Sequence, residues 1–343
     1  MRISQAAALL RAAIDHREPV LLVGSPGVGK TDLVSQTARD TRHGFIVSHP
    51  RVENPTNVAG FPWPDHNAKR AKFLPYGIVA DILESKGPVV WLWDDLGQAS
   101  KDTQAAYMQW ALCRKCGEHV LPDHVTIVGA TNDRMHGAGA TMLEPLKGRF
   151  LLATVEPERD DWIRWAAHEK INEDVLAFIA FRPNLLNDPK PRPDIVGRPS
   201  PRGWARAARW LGYGLDDLLL TQAVTGCVGP DAATEFMGFR AVKNTLPDLD
   251  AWLKNPPLAV KEMPKEIATV WAAAGGLIAR YTRKTWPAFV PLLNTLDTKG
   301  HAEVAALILH AVLSQDDWVK DSKEFMTLVK SDFGRHLLKV MSS

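Results

Sequence analysis

The octapeptide GSPGVGKT, residues 24–31, combines residue types and spacing suited to phosphate binding. It matches the pattern G-x-x-x-x-G-K-[ST], follows a predicted strand and precedes a predicted helix, as the pattern requires. Its glycines let the backbone curl so that N–H groups point at phosphate oxygens, Lys30 adds a mobile charge, and the Thr31 hydroxyl can ligate Mg²⁺. An ordinary glycine-rich turn explains this context less well. We therefore expect a nucleotide to be bound by Gly24, Ser25, Pro26, Gly27, Val28, Gly29, Lys30 and Thr31.

Two adjacent carboxylates, Asp94 and Asp95, end the apolar run of PVVWLWDDLGQAS, residues 88–100. Such a run predicts a buried strand that delivers acids to the carboxyl edge of a sheet. We expect Asp94 to hold a magnesium ion through its water shell, and Asp95 to orient an attacking water. The alternative is a helix cap, since Asp favours that position, but the glycine-rich motif upstream disfavours it.

A polar side chain also ends the next predicted strand, in TIVGATNDR, where Asn132 follows an apolar run. An amide at the tip of the strand beside the glycine-rich loop can hold the attacking water or a terminal phosphate by hydrogen bonds. Taken alone, Asn132 would be a turn residue. Its position in the chain, after the glycine-rich loop and the paired acids, favours the functional interpretation.

The elements that position these residues alternate between strands and helices. Such alternation predicts an α/β fold with a mostly parallel sheet covered on both faces. Beyond residue 158 the pattern is helical, with a five-proline interruption at 187–203 and a weaker break at 246–265. We predict domains at 1–158, 159–245 and 246–343. The predicted strands lie at 19–24, 44–50, 88–95, 124–132 and 149–157.

The composition narrows the class of protein. With 343 residues and 45% hydrophobic side chains, the chain can bury a substantial core, so disorder is excluded. Its net charge of +2 gives no electrostatic case for a dedicated nucleic-acid binder, although a local basic patch is compatible with it. Three cysteines make no disulfide framework, and no run approaches the ~20 apolar residues of a membrane span. We expect a cytoplasmic protein.

The order of these motifs resembles the AAA+ ATPases, and more narrowly their MoxR-like branch. Residues 114–150 look very like that family's segment between the helix after Walker B and the arginine-finger motif, and similarity continues through 178–186 and 197–210. The resemblance covers residues 1 to about 240. It implies an AAA+ P-loop NTPase core with a parallel sheet, an α-helical lid and an α-helical C-terminal extension.

The resemblance also implies roles for particular residues. These are Lys30 and Thr31 in Walker A, Asp94 and Asp95 in Walker B, Asn132 as sensor 1, Arg149 as the arginine finger that reaches a neighbouring subunit, and Arg202 as sensor 2 on the lid. Without the resemblance, the sequence would favour a surface ion pair for Arg149 and a charged residue at the start of a helix for Arg202. It further implies ATP and Mg²⁺ as ligands, a hexameric ring, and a von Willebrand factor A-type partner that the ring remodels or activates.

One departure from the family pattern bears on turnover. The family's Walker B normally ends in Asp-Glu, whereas here the second acid is Asp95, one methylene shorter. A misplacement of ~1 Å at a reacting group costs about 10²-fold in rate, so we expect slow hydrolysis. One alternative is an ATP-dependent scaffold without hydrolysis. A less favoured alternative is a nucleic-acid motor of a phage or defence system.

Two further stretches suggest sites. CRKC at 113–116 with His119 offers too few ligands for a structural zinc site, so we expect Cys113 to be an apolar packing residue. Residues 58–77 lie where MoxR-like proteins carry an insert that faces the pore. There, aromatic side chains can grip a polypeptide and basic ones can meet acidic or nucleic-acid surfaces; the slightly preferred alternative is a loop whose aromatics pack on the core. These side chains are Phe61, Trp63, Lys69, Arg70 and Lys72.

Overall fold

The computed structural model describes residues 1–65, 69–133, 142–190, 194–331 and 333–337. The chain divides into two compact units, one built mainly from Met1–Pro157 and the other from Glu158–Asp188 and Arg192–Ser343. The first unit holds the sheet and the glycine-rich loop, and the second is helical. The predicted division into three domains stays a prediction.

The first unit alternates strands and helices along the chain. Its helices are α1 (Ile3–His16), α2 (Lys30–Asp40), α3 (Pro55–Ala59), α4 (Gly77–Leu83), α5 (Lys101–Cys113) and α6 (Glu144–Lys147). Its strands are β1 (Val20–Val23), β2 (Gly44–Ser48), β3 (Phe61–Asp65), β4 (Arg70–Leu74), β5 (Val89–Trp93), β6 (Lys115–Cys116), β7 (His119–Val120), β8 (Val125–Thr131) and β9 (Leu151–Thr154).

The main sheet is parallel and, within the described residues, has five strands in the order β2-β5-β8-β1-β9. This confirms the predicted parallel α/β sheet. The strand of the glycine-rich loop, β1, does not touch the acid-bearing strand β5; β8 pairs with both. Because all five strands run in one direction, the residues after β1, β5 and β8 meet at the same edge of the sheet.

The sheet is covered on both faces, which explains why β5 is buried along its whole length. Trp91 and Trp93 belong to one apolar cluster with residues of α4 and α5, whereas Val90 and Leu92 belong to another with residues of α1 and α2. Successive side chains of a strand point to opposite faces, so one continuous apolar run fills both layers.

The second unit packs its helices around one continuous apolar cluster that runs from Trp162 to Leu337. The chain has no regular element from Leu186 to Ser200 among the described residues, in agreement with the predicted proline-rich interruption. The predicted break at 246–265 contains two short helices instead. The helices are α7 (Arg159–His168), α8 (Glu173–Phe181), α9 (Pro201–Leu211), α10 (Asp217–Val228), α11 (Pro230–Ala241), α12 (Leu249–Lys254), α13 (Leu258–Glu262), α14 (Ile267–Ala279), α15 (Trp286–Thr298), α16 (Ala302–Gln315) and α17 (Lys323–Lys330).

None of the helices in the described part of the chain is long and apolar enough to cross a membrane.

Candidate nucleotide-binding site

The glycine-rich loop between β1 and α2 needs its glycines for different reasons. Gly27 and Gly29 have φ angles of 84° and 102°, in the left-handed region that glycine adopts without strain. Gly24 lies so close to the backbone of Val155 that an added Cβ would be 2.5 Å from the Val155 carbonyl oxygen. The space around Gly29 is open, with nothing within 4 Å of an added Cβ. The loop therefore has the tight curvature and the open side that phosphate binding requires.

Lys30 begins α2 and folds its side chain back over the loop. Its Nζ donates hydrogen bonds to the Gly24 carbonyl oxygen at 2.9 Å, to the Ser25 carbonyl oxygen at 3.2 Å and to Asn132 Oδ1 at 2.9 Å. The residue is only 7% exposed, so this ammonium group is held by oxygen atoms in place of bulk water. Phosphate oxygens are stronger acceptors than neutral carbonyls and compete for the same donors.

Thr31 and Asp94 supply the oxygen atoms that a magnesium ion needs. The Thr31 hydroxyl donates to Asp94 Oδ2 at 2.9 Å, and Asp94 Oδ1 accepts the Asp95 backbone N–H at 3.1 Å. A hydroxyl and a carboxylate side by side, next to a phosphate-binding loop, fit the hard oxygen ligands of Mg²⁺. The described residues at this edge are therefore chemically suited to Mg²⁺ with a bound nucleotide.

Asn132 connects the loop lysine to the second acid. Its Oδ1 accepts from Lys30, and its Nδ2 donates to Asp95 Oδ1 at 3.2 Å. Asp95 has a φ angle of 55°, a left-handed conformation that Asp tolerates better than most residues. The two acids thus face different partners, Asp94 toward the hydroxyl of Thr31 and Asp95 toward the amide of Asn132.

The structure brings five of the predicted site residues into one hydrogen-bonded group: Lys30, Thr31, Asp94, Asp95 and Asn132. Asn132 directly follows β8, and β8 pairs with β1, so the amide lies at the tip of the strand beside the glycine-rich loop, as expected. The roles of these residues in turnover stay predictions.

The two predicted arginines lie outside this group. Arg149 is exposed between α6 and β9, and within the described part of the chain its guanidinium makes no hydrogen bond or ion pair. Arg202 is exposed in the first turn of α9, in the second unit. Their roles as arginine finger and sensor 2 remain predictions.

Gly97 is a residue of the site that the sequence did not identify. It lies in the 3₁₀ turn Leu96–Gln98 directly after the acids, where an added Cβ would be 2.3 Å from Thr131 Oγ1. Thr131 ends β8 and precedes Asn132, so this close approach lies directly beside the residue that carries the amide. The sequence signal for this close approach was a glycine two residues after Asp95.

A buried aromatic layer supports the acids from one face of the sheet. Trp93 contacts Tyr107 at a ring-centroid distance of 4.7 Å and Trp91 edge-on at 5.3 Å. The Tyr107 hydroxyl donates to the Glu53 carboxylate, and burial together with this charge raises the pKa of Tyr107. Sequence reasoning missed this Tyr–Glu pair, because its members lie far apart in the chain.

The cysteine stretch has a different structure from the one expected. Cys113 ends α5 and is exposed, so its interpretation as an apolar packing residue is wrong. The buried residue is Cys116, whose thiol pKa is raised by burial. Across the described residues, no group of three or more His, Cys, Asp or Glu side chains is arranged to hold a metal ion.

Among the described residues, the stretch at 58–77 contains the antiparallel pair of β3 and β4, which we call the β3–β4 hairpin. Phe61 and Trp63 are 55% and 57% exposed, so the preferred interpretation, aromatics packed on the core, is wrong. In the second unit, Trp162 and Trp204 are buried in the core, whereas Trp210 is exposed.

Fold and site together define the class of protein. A glycine-rich loop after β1, paired acids on a strand separated from β1 by β8, and a following helical unit constitute a P-loop NTPase fold with the architecture expected of the AAA+ class. No protein-family model and no curated protein matches the chain.

Solved structures resemble the chain weakly. A mutant of RuvB from Thermotoga maritima is 18% identical with a TM-score of 0.42, over 80% of this chain and 81% of that one. NtrX from Brucella abortus is 16% identical with a TM-score of 0.40, over 97% and 67% of the two chains. NtrX in complex with ADP is 15% identical with a TM-score of 0.37, over 90% and 67%. At such values these similarities carry no argument about function, which must come from the site.

Proposed function

We propose that this protein is a magnesium-dependent ATPase of the AAA+ class, in its MoxR-like branch, that works in the cytoplasm as a ring and remodels or activates a partner protein. The observation that carries the proposal is the connected set of hydrogen bonds from Lys30 through Asn132 to Asp95, with Thr31 and Asp94 beside it. Each of these residue types serves one requirement of phosphoryl transfer.

In this proposal the loop backbone and Lys30 bind the β- and γ-phosphates of ATP. Thr31 and Asp94 hold the metal site, where a bound Mg²⁺ would neutralise charge on the phosphate oxygens. A phosphate at Lys30 competes with the carbonyl groups and with Asn132 for the ammonium. The Asn132 amide is then released to bind the attacking water together with Asp95.

The shorter acid at position 95 fits slow turnover. Its carboxylate already accepts a hydrogen bond from Asn132 at 3.2 Å, so charge and position suit a water-orienting group. It reaches less far than Glu, and ~1 Å of displacement costs about 10²-fold. A slow ATPase still acts as a switch, because ATP-bound and ADP-bound states favour different conformations.

The exposure of Arg149 supports the proposed ring assembly. Its guanidinium is exposed and has no partner within the described residues of its own chain, as a residue that acts on a neighbour's phosphate would be. Arg202 is proposed to contact nucleotide from the lid. The hexameric state and the von Willebrand factor A-type partner come from the family resemblance.

Phosphate release from Mg·ATP by the purified protein tests the proposal. Asp95→Asn should reduce hydrolysis to background, Asp95→Glu should raise it above wild type, and Asp81→Asn, at an exposed position on α4, should leave it unchanged. If wild type and Asp95→Asn are equal at background while ATP still binds, the protein is an ATP-dependent scaffold without hydrolysis.

Mixing variants tests the shared site. Arg149→Ala should bind ATP without hydrolysing it, and Lys30→Ala should not bind. An equimolar mixture should recover part of the activity, because a Lys30→Ala subunit still donates its arginine to an intact loop next to it. A mixture that stays inactive would show that catalysis does not cross a subunit interface through Arg149.

A further inference from the structure

The β3–β4 hairpin presents aromatic and cationic side chains on one face. Residues directly opposite in an antiparallel pair share a face, and the register pairs Phe61 with Leu74 and Trp63 with Lys72. Phe61 and Trp63 lie two residues apart on β3, about 7 Å along the strand, and both are more than half exposed. Two rings at this spacing can each take one planar ligand group.

Positive charge accompanies these rings. Residues 61–74 contain three cationic side chains and one acidic side chain, a net charge of 3 − 1 = +2, equal to that of the whole chain. Arg70 begins β4 opposite Asp65 and shares the face of the two rings, Lys69 directly precedes it, and both cationic residues are exposed. The hairpin is therefore a local basic patch in a chain whose net charge is close to zero. Its positive charge complements an anionic ligand.

The outer edges of the hairpin offer few main-chain donors for strand addition. Pro62 and Pro64 of β3 have no N–H to donate, and the Phe73 N–H of β4 donates to Glu118 Oε1 at 2.8 Å. An extended polypeptide that binds a sheet edge needs such main-chain groups. The shortage of main-chain donors favours recognition by the side chains on the faces of the hairpin, and therefore a ligand with planar rings over a peptide strand.

The base of the hairpin is fixed to the body of the first unit. Trp110 Nε1 of α5 donates to the Val58 carbonyl oxygen at 3.2 Å, just before the hairpin begins. At Gly60 the chain passes so near Leu74 that an added Cβ would be 2.8 Å from the Leu74 carbonyl oxygen. A surface held in this way loses little conformational freedom when it binds a ligand.

We propose that the aromatic and cationic face of the β3–β4 hairpin binds single-stranded nucleic acid. Bases stack on Trp63 and Phe61, and the phosphates between them meet Lys69 and Arg70. Stacking of this kind tolerates any base sequence, because every base has a π-face. The surface goes beyond the proposed ATPase function and requires no nucleotide in the P-loop.

Binding of a fluorescently labelled oligothymidylate of about 20 nucleotides, followed by anisotropy without ATP, tests this proposal. Trp63→Ala should weaken binding about tenfold or more, since one base stack is lost. Lys69→Ala with Arg70→Ala should weaken it and reduce the salt dependence by about 0.7 per lost phosphate contact in the log–log slope. Trp210→Ala, at an exposed tryptophan of the second unit, is the matched control and should bind like wild type.

Each other outcome overturns the proposal. The first is that wild type does not bind the oligonucleotide at low salt. The second is that Trp63→Ala and wild type bind it with equal affinity. The third is that polyglutamate of equal charge displaces the oligonucleotide equally well from wild type and from Trp63→Ala. The last result would assign the hairpin to acidic polypeptides. Thermal unfolding of each variant shows whether it is folded. Because the assay contains no ATP, its result is independent of the hydrolysis experiment.

Discussion

The two units of the chain use buried polar groups in opposite ways. In the first unit, side chains from three parallel strands and their loops converge at one edge, where Lys30 is almost completely buried and bound to oxygen atoms. In the second unit, the buried acids Asp161 and Asp174 each pair with a nearby arginine. The sheet edge thus gathers polar side chains into one hydrogen-bonded group, whereas the helical unit pairs its buried acids locally and buries apolar surface.

The largest effect expected from this difference is at Lys30. Lys30→Ala should lower nucleotide affinity at least about 100-fold, since two or more charge-assisted hydrogen bonds to phosphate, each worth ~1.5–3 kcal/mol, are lost. Binding of a fluorescent ATP analogue in the presence of Mg²⁺ measures this.

Lys86→Ala is the control, because Lys86 is an exposed lysine of the same unit. It should bind the analogue like wild type. Unchanged affinity in Lys30→Ala would refute the assignment of the glycine-rich loop.

A second prediction tests the helical unit. Phe178 is 1% exposed and contacts the rings of Trp204, Phe236 and Phe239 at centroid distances of 5.4, 5.3 and 5.4 Å. Phe178→Ala should destabilise the second unit by about 3–5 kcal/mol through the lost contacts and the cavity left behind.

Calorimetric unfolding resolves this prediction, with nucleotide affinity measured at low temperature as the second readout. Affinity should stay near that of wild type, since no contact of Phe178 belongs to the loop site. A large loss of affinity in a protein that is still folded would mean that the helical core supports nucleotide binding directly.

The sequence predicted the site better than the surfaces around it. Local rules gave the five strands, the glycine-rich loop and the acids, because strand periodicity and the loop pattern are properties of neighbouring residues. The exposure of Cys113 and of Phe61 depends on which distant segments cover them, which a local pattern does not contain. The same holds for the Glu53–Tyr107 pair, whose members are 54 residues apart.

A third prediction concerns pH and again separates the units. His310 of α16 is half-buried beside Arg159, Asp160 and Glu303, and burial, with Arg164 nearby, lowers its pKa from 6.5 to about 4. The unfolded chain binds a proton below pH 6.5 that the folded unit takes up only near pH 4, so stability is lost as pH falls between these values. The expected loss is about 2–3 kcal/mol.

Denaturant unfolding of wild type and His310→Phe between pH 7 and pH 4 checks this prediction. The variant has no titrating group at position 310, so this part of the pH dependence should disappear. If both proteins lose stability equally over that range, the acid sensitivity arises from other groups.

The smallest expected effect lies at Gly97, and it tests how tightly the sheet edge is fitted. Gly97→Ala places a Cβ 2.3 Å from Thr131 Oγ1, so the Thr131 side chain must rotate or the end of β8 must shift, and we expect the neighbouring Asn132 amide to be displaced. A full ~1 Å displacement costs about 10²-fold, and a partial shift should lower the rate of ATP hydrolysis about tenfold. ATP affinity should change little, because the loop itself is untouched.

Gly87→Ala is the matched control, since its Cβ meets nothing within 4 Å. Equal hydrolysis rates for both variants would mean that the edge relaxes around the methyl group, and that the position of the amide does not limit turnover.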